Sequence, residues 1–157
     1  MANLDHATIT DPLLHEIKGA AAATSGQIPV SDGAGAAPFT TINNKDLVFV
    51  HADIDDVSTA ASYWVVPGIA GDVTKIHTVI DGAIATADAG ISFEIAGTPI
   101  TSGGITIANA GSAAGDVDSS TPSAANTITA NQAIEMITDG ASTNTVKATV
   151  TFTIDVS

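Results

Sequence analysis

The sequence has no cysteine and no arginine, and it has only one tryptophan and one tyrosine among its 157 residues. The absence of cysteine excludes disulfides, Cys-ligated zinc and thiol catalysis. Four lysines against seventeen acidic residues leave a net charge of -13, which repels phosphate backbones and anionic lipid surfaces. We therefore expect neither a nucleic-acid partner nor a membrane partner.

Long apolar runs are missing as well. No stretch approaches the roughly 18 consecutive apolar residues of a membrane span. The first residues, MANLDHATIT, lack both a basic region and an apolar region of the kind that a signal peptide carries. We expect a soluble, unprocessed chain, and at 15.6 kDa it is long enough to bury one core without covalent staples.

Residues 1–44 are predicted to form an extended N-terminal arm. Their apolar side chains are scattered without a sustained period among glycine and proline breakers, so they cannot build a core alone. A short helical turn over Pro12–Lys18 and a short strand over Gln27–Val30 are the local elements that we expect. Segments that cannot bury their own apolar residues either stay disordered or bury them against another chain, so the arm is a candidate interaction element.

Residues 45–157 are predicted to form an all-β domain. The last strand gives the clearest signal, because Val150, Phe152 and Ile154 alternate with threonines. No helix-period segment separates the strands, which favours an antiparallel β-sandwich, jelly-roll-like in type. Eight strands are predicted: Leu47–His51, Ser62–Val66, Val73–Ile80, Ile91–Ala96, Ile105–Ala108, Asn126–Thr129, Ala133–Thr138 and Val146–Val156. The connection between Asn109 and Ala125 is predicted to be a loop.

Two of these strands, Leu47–Val50 and Tyr63–Val66, are apolar on both faces. A strand of a simple sandwich needs only one buried face, so a second cover from the arm or from a neighbouring subunit is one interpretation. An ordinary central strand is the other. On the first interpretation the subunit-interface residues are Val48, Val50, Trp64 and Val66.

Catalytic, cofactor-binding and metal sites are not predicted. Gly111–Gly115 does not have the serine spacing of a nucleophile elbow. The four histidines show no zinc-ligand spacing: His6, His15, His51 and His77. Two acidic clusters could attract a hard cation, but neither completes a calcium loop, and solvation or Asx turns are the commoner roles: Asp53 with Asp55 and Asp56, and Asp116 with Asp118. We expect no enzyme and no cofactor.

Two passages resemble structural proteins of tailed bacteriophages. The first is HEIKGAAAATSGQIPVSDGAGAAPFT, residues 15–40, which is similar to a segment near the N-termini of phage head-fibre and capsid decoration proteins. The second is VTKIHTVIDGAIATADAGISFEIAGTPITSGGITIANAGSAAGDVDSSTPSAANTITANQAIEMITDG, residues 73–140, which is similar to the β-sandwich domain of such proteins. The chain departs from the family pattern at Ile17, where proline is usual, and at Pro38-Phe39, where Gly-Trp is usual.

The resemblance implies a capsid decoration (cement) protein that binds the outer surface of the assembled head as a homotrimer. Its partners would be the major capsid protein and itself, and its location the virion surface after synthesis in the bacterial host cytoplasm. The arm residues expected to contact the capsid are Leu13, Leu14, Ile17 and Lys18. The alternative is a head-fibre or tail-fibre adhesin module that binds a host surface glycan through Tyr63 or Trp64.

Overall fold

The computed structural model describes residues 27–29, 39–41 and 46–156 of the chain. The chain divides into two compact units, Met1–Asn44 and Lys45–Ser157. In the first unit, strand β1 (Gln27–Pro29) pairs antiparallel with β2 (Phe39–Thr41). The predicted strand over Gln27–Val30 is thus present as Gln27–Pro29. The predicted helical turn and the capsid-contact residues Leu13, Leu14, Ile17 and Lys18 lie outside the described residues.

Ten strands form the second unit, and every described element of the chain is a strand. They are β3 (Asp46–Ile54), β4 (Ala61–Val65), β5 (Gly71–Ile80), β6 (Ala89–Ile95), β7 (Thr98–Pro99), β8 (Ile105–Ile107), β9 (Val117–Ser120), β10 (Thr127–Ile128), β11 (Ile134–Thr138) and β12 (Ala148–Val156). All eight predicted strands are present within a few residues of the predicted bounds. Two strands of the structure, β7 and β9, were not predicted, and β9 lies inside the connection that was predicted to be a loop.

The strands form two antiparallel sheets, which confirms the predicted sandwich. The first sheet has the order β3-β12-β5, and β9 and β10 both pair with the far side of β5. The second has the order β4-β11-β6, and β7 and β8 both pair with the far side of β6. If each of these short pairs counts as one interrupted strand, the chain crosses between the sheets at every connection except that from β6 to β7, in the manner of a jelly roll.

The core lies between the sheets and consists of the inward side chains of both. Its centre is the pair Phe93 and Phe152, whose rings meet edge to face with centroids 5.6 Å apart and planes at 89°. The fully buried aliphatic side chains around this pair come from both sheets: Ile54, Val73, Ile76, Val150 and Ile154 from the first, and Ile134 and Met136 from the second. No helix in the described part of the chain has the length and apolarity needed to cross a bilayer.

Candidate functional site

The strands β3 and β4 contact each other at one side of the sandwich, and we call this side the open edge. Among the described residues, β3 pairs only with β12, and β4 pairs only with β11. The strand β3 is nine residues long and contains no proline, glycine or lysine. Proteins commonly use such residues, or short strands, to stop an edge from pairing with another chain. The open edge therefore has the character of a contact surface.

Apolar side chains are exposed along the open edge. Of the seven large apolar side chains that are exposed among the described residues, four lie on β3, on β4 or directly after β4: Leu47 at 47 %, Phe49 at 59 %, Trp64 at 63 % and Val66 at 57 %. The strand β3 runs toward the connection at residues 55–60, and β4 runs away from it. All four side chains therefore lie at the same end of the edge, remote from that connection.

Pairing with β12 decides which residues of β3 face outward. Val50 is opposite Phe152, and Val48 is opposite Ile154, so both valines share the inner face with core residues. Val50 is half-buried and packs against the core. Leu47 and Phe49 are left on the outer face, although sequence reasoning had not selected them.

Side chains also alternate between the inner and the outer face along β4. Tyr63 and Val65 pack against the core, while Trp64 and Val66 face outward. Of the four predicted interface residues, the structure thus exposes Trp64 and Val66 and turns Val48 and Val50 inward. The subunit interface itself stays a prediction.

The opposite side of the sandwich, formed by β7, β8, β9 and β10, is closed by hydrogen bonds between the two sheets, and we call it the closed edge. The Thr101 N–H donates to Ala124 O at 3.0 Å, and the Ser123 N–H donates to Thr101 O at 2.9 Å. Nearby, the Ser120 hydroxyl donates to Gly103 O at 2.5 Å. Short strands and these bonds leave little free backbone at this edge.

The outer face of the second sheet carries a row of three side chains that we call the Trp-Glu row. Glu135 of β11 is directly opposite Trp64 of β4 on one side and directly opposite Glu94 of β6 on the other. Directly opposed side chains have Cβ atoms about 5 Å apart, and like charges in this arrangement are destabilising. Sequence reasoning missed the two glutamates, because only the strand register brings them together.

A shallow groove of about 430 Å³ lies beside the Trp-Glu row on the same sheet. Its outward side chains include Ser92, Thr106, Ile137 and Asp139. Ser92 and Ile137 are directly opposite each other, each two residues along its strand from Glu94 or Glu135. The outer face of the second sheet thus combines an exposed indole, carboxylates and hydroxyl groups.

The first acidic cluster is engaged within the chain. Asp56 accepts hydrogen bonds from the Ser58 N–H at 2.9 Å and the Ser58 hydroxyl at 2.7 Å, and these bonds, led by that of the hydroxyl, lower the pKa of Asp56. Asp53 accepts a hydrogen bond from the Thr149 hydroxyl at 2.8 Å. In the described ranges no group of three histidine or acidic side chains is placed to hold a metal ion. The Asx turn is therefore the role that the structure gives Asp56.

The second acidic cluster lies at the closed edge. Asp118 of β9 is directly opposite Thr78 of β5, and it is partly buried at the seam between the sheets. Burial, followed by the nearby Asp116, raises the pKa of Asp118. The Thr78 hydroxyl is buried and has no hydrogen-bond partner within the part of the chain that the structure describes. This position is a local weakness in an edge that is otherwise well bonded.

The described histidines lie on the outer face of the first sheet. His51 and His77 are both directly opposite Thr151 on the strand between them, and His51 Nδ1 lies 2.9 Å from Thr151 Oγ1. His51 is thus held by a cross-strand hydrogen bond. His6 and His15 lie outside the described residues.

The fold and the exposed faces are those of a jelly-roll domain with one open edge. No family model matches the sequence, and no curated protein matches it.

Proposed function

We propose that the chain is a bacteriophage capsid decoration (cement) protein that binds the outer surface of the assembled head as a homotrimer and stabilises it. The observation that carries this proposal is the open edge, where, among the described residues, β3 and β4 each pair on one side only and large apolar side chains are exposed on the outer faces of both sheets. Exposed apolar patches on soluble domains mark contact sites. The resemblance to phage head proteins supplies the identity of the surface that is contacted.

In this proposal the arm and the sandwich divide the work. Residues 1–44 contact the major capsid protein, with Leu13, Leu14, Ile17 and Lys18 as the contact residues. The sandwich supplies the subunit interface; of the predicted residues Val48, Val50, Trp64 and Val66, the two valines of β3 face the core, so in this proposal the outward Leu47 and Phe49 take their place beside Val66. Binding to assembled heads then stabilises them by mass action, without a cofactor or an enzymatic step. In this proposal the protein lies on the outer capsid surface of the virion.

Sedimentation with empty phage heads tests the function. We expect the purified protein to bind heads at a fixed, saturable ratio, and heads that carry it to withstand a higher temperature. A variant that lacks residues 1–44 should keep a folded sandwich and lose the binding, because the buried core of the described residues runs from Ile54 to Ile154. Native protein that does not co-sediment with heads at any concentration would contradict the proposal.

A host-glycan adhesin is the second candidate, and one observation favours it. Trp64 is the single tryptophan of the chain, and it is exposed on the same outer sheet face as the groove that contains Ser92, Thr106 and Asp139. An exposed aromatic face with hydroxyl and carboxylate groups around it is suited to a sugar. The structure does not favour Tyr63 for this role, because its side chain packs against the core. Binding to host cells without binding to heads would select this function.

A further inference from the structure

We infer that the Trp-Glu row is a docking site for an arginine side chain of a different protein. This inference rests on the proposed contact role of the sandwich and names the chemistry of the partner. The row consists of Trp64, Glu135 and Glu94, which lie side by side on three adjacent strands and point out of the second sheet.

The first step of the argument is charge. Glu94 and Glu135 oppose each other directly, and no lysine belongs to the strands of their sheet, since the described lysines are Lys75 on β5 and Lys147 before β12. Two like charges in this position reduce the stability of the sheet. A cation that binds to the two carboxylates removes that repulsion, so its binding stabilises the sheet.

The second step is shape. A guanidinium group is planar, donates paired hydrogen bonds to carboxylates, and stacks on aromatic faces. The row offers carboxylates and, beside them, an indole that is 63 % exposed. A cation over the face of a tryptophan gains further attraction. An arginine side chain can use both the carboxylates and the indole, whereas a lysine ammonium lacks the planar fork.

The third step is the source of the cation. The chain has no arginine, so a second copy of it cannot supply a guanidinium group. The occupant must therefore be another protein, and the net charge of -13 steers a basic surface toward this one. This assignment removes Trp64 from the predicted subunit interface: Trp64 contacts the partner protein, and Leu47 and Phe49 remain for contact between copies.

The single tryptophan makes the site directly observable, because all indole fluorescence comes from Trp64. We would titrate the full chain with tetra-arginine, tetra-lysine and tetra-glutamate peptides and with neutral oligosaccharides. Tetra-arginine is expected to change the emission saturably and to bind more tightly than tetra-lysine. Tetra-glutamate and the oligosaccharides are expected to have no effect.

The double variant Glu94→Gln/Glu135→Gln removes the charges with little change of shape. It should weaken tetra-arginine binding by about tenfold or more, as expected for the loss of charge-assisted hydrogen bonds. The matched control is Asp53→Asn/Asp55→Asn, which removes two exposed charges away from the row and should change affinity less than twofold. Circular dichroism of both variants verifies that the strands are retained.

Three results would overturn the inference: no response to tetra-arginine, equal weakening in the control variant, or a response to oligosaccharide alone. The last would favour the adhesin function. Head sedimentation is a separate measurement. Native protein that binds tetra-arginine but not heads would contradict the capsid function and leave the arginine site standing.

Discussion

The two edges of the sandwich differ in how much of their backbone is left without a pairing strand. At the closed edge the strands are two to four residues long, and backbone and serine hydrogen bonds join the sheets across the seam. At the open edge β3 extends over nine residues, and Leu47, Phe49, Trp64 and Val66 are exposed. Apolar exposure is not confined to the open edge, since Val79 and Val117 are exposed opposite each other at the closed edge, so the edges differ in strand length and free backbone. The difference makes the open edge the part of the described sandwich on which the proposed contact role rests.

The outer faces of the two sheets differ in whether their charged side chains have partners within the sheet. On the first sheet, Asp53, His51 and Asp72 are each hydrogen-bonded to a threonine of a neighbouring strand. On the second sheet, Glu94 and Glu135 face each other instead. These three polar groups of the first face thus have partners within the sheet, whereas the two carboxylates of the second face oppose each other, which is the basis of the proposed arginine site.

The largest expected effect of a single change concerns the hydroxyl that anchors the start of β4. The buried Thr138 hydroxyl accepts a hydrogen bond from the Ala61 N–H at 3.0 Å and donates to Thr59 O at 2.5 Å. Thr138→Val keeps the shape but leaves two backbone groups unpaired, which should reduce the free energy of unfolding by about 1–3 kcal/mol. Urea denaturation measures the change.

The control for this variant is Thr106→Val, an exposed position on the same sheet, where a change within about 0.5 kcal/mol is expected. Equal destabilisation by the two variants would mean that the start of β4 does not depend on Thr138. In that case the hydrogen bonds of the Thr138 hydroxyl would not be what fixes β4 in place at the open edge.

Local patterns predicted much of the fold. Alternation revealed the strand that ends at Val156, and turn residues bounded the others, so eight strands were found. The short strand β9 was missed because Val-Asp-Ser-Ser has no apolar alternation, and its pairing with β5 supplies the hydrogen bonds that local sequence does not show. Strand order was not predicted either, since partners in a jelly roll are distant in sequence.

The candidate site was predicted less completely. The run Leu-Val-Phe-Val has no polar residue to mark the outer face, so its parity follows only from the register that sets Val50 opposite Phe152. The sequence therefore indicated an unusual strand at Leu47–Val50 but not that Leu47 and Phe49 are its exposed members. The pairing of Glu94 with Glu135 depends on register in the same way.

A smaller effect on stability is expected from removing the most exposed apolar side chain of β3. Phe49→Thr should change the free energy of unfolding by no more than about 0.5 kcal/mol, because Phe49 is 59 % exposed and threonine suits a strand. If the open edge joins the copies, the mass by light scattering should fall from about 47 kDa, for three copies of the 15.6 kDa chain, to that of one copy.

The matched change at the closed edge is Ser120→Ala, which removes the hydrogen bond to Gly103 O. It should cost about 0.5–1.5 kcal/mol and leave the mass unchanged. A native chain that already has the mass of one copy would contradict the homotrimer. A native trimer that Phe49→Thr leaves intact would place the interface elsewhere.

The smallest expected effect is a gain in stability at the closed edge. The pKa of Asp118 is raised, first by burial and then by Asp116, so the folded chain holds this proton more tightly than the unfolded chain does. Stability therefore falls as pH rises through the interval above the ordinary value of 3.8, and the penalty is complete at neutral pH. Asp118→Asn removes the charge with little change of shape opposite the unpaired Thr78 hydroxyl.

We expect Asp118→Asn to raise the melting temperature slightly at pH 7, and the gain to shrink on acidification until it vanishes below the ordinary pKa. The increase should be small because the carboxyl group is largely accessible to water, which screens its charge. Asp116→Asn removes only the second cause of the shift, so its gain should be smaller and follow the same direction with pH. A gain of equal size at pH 7 and pH 3 could not come from a charge that is absent at the lower pH, and it would show that Asp118 acts on the closed edge through packing instead.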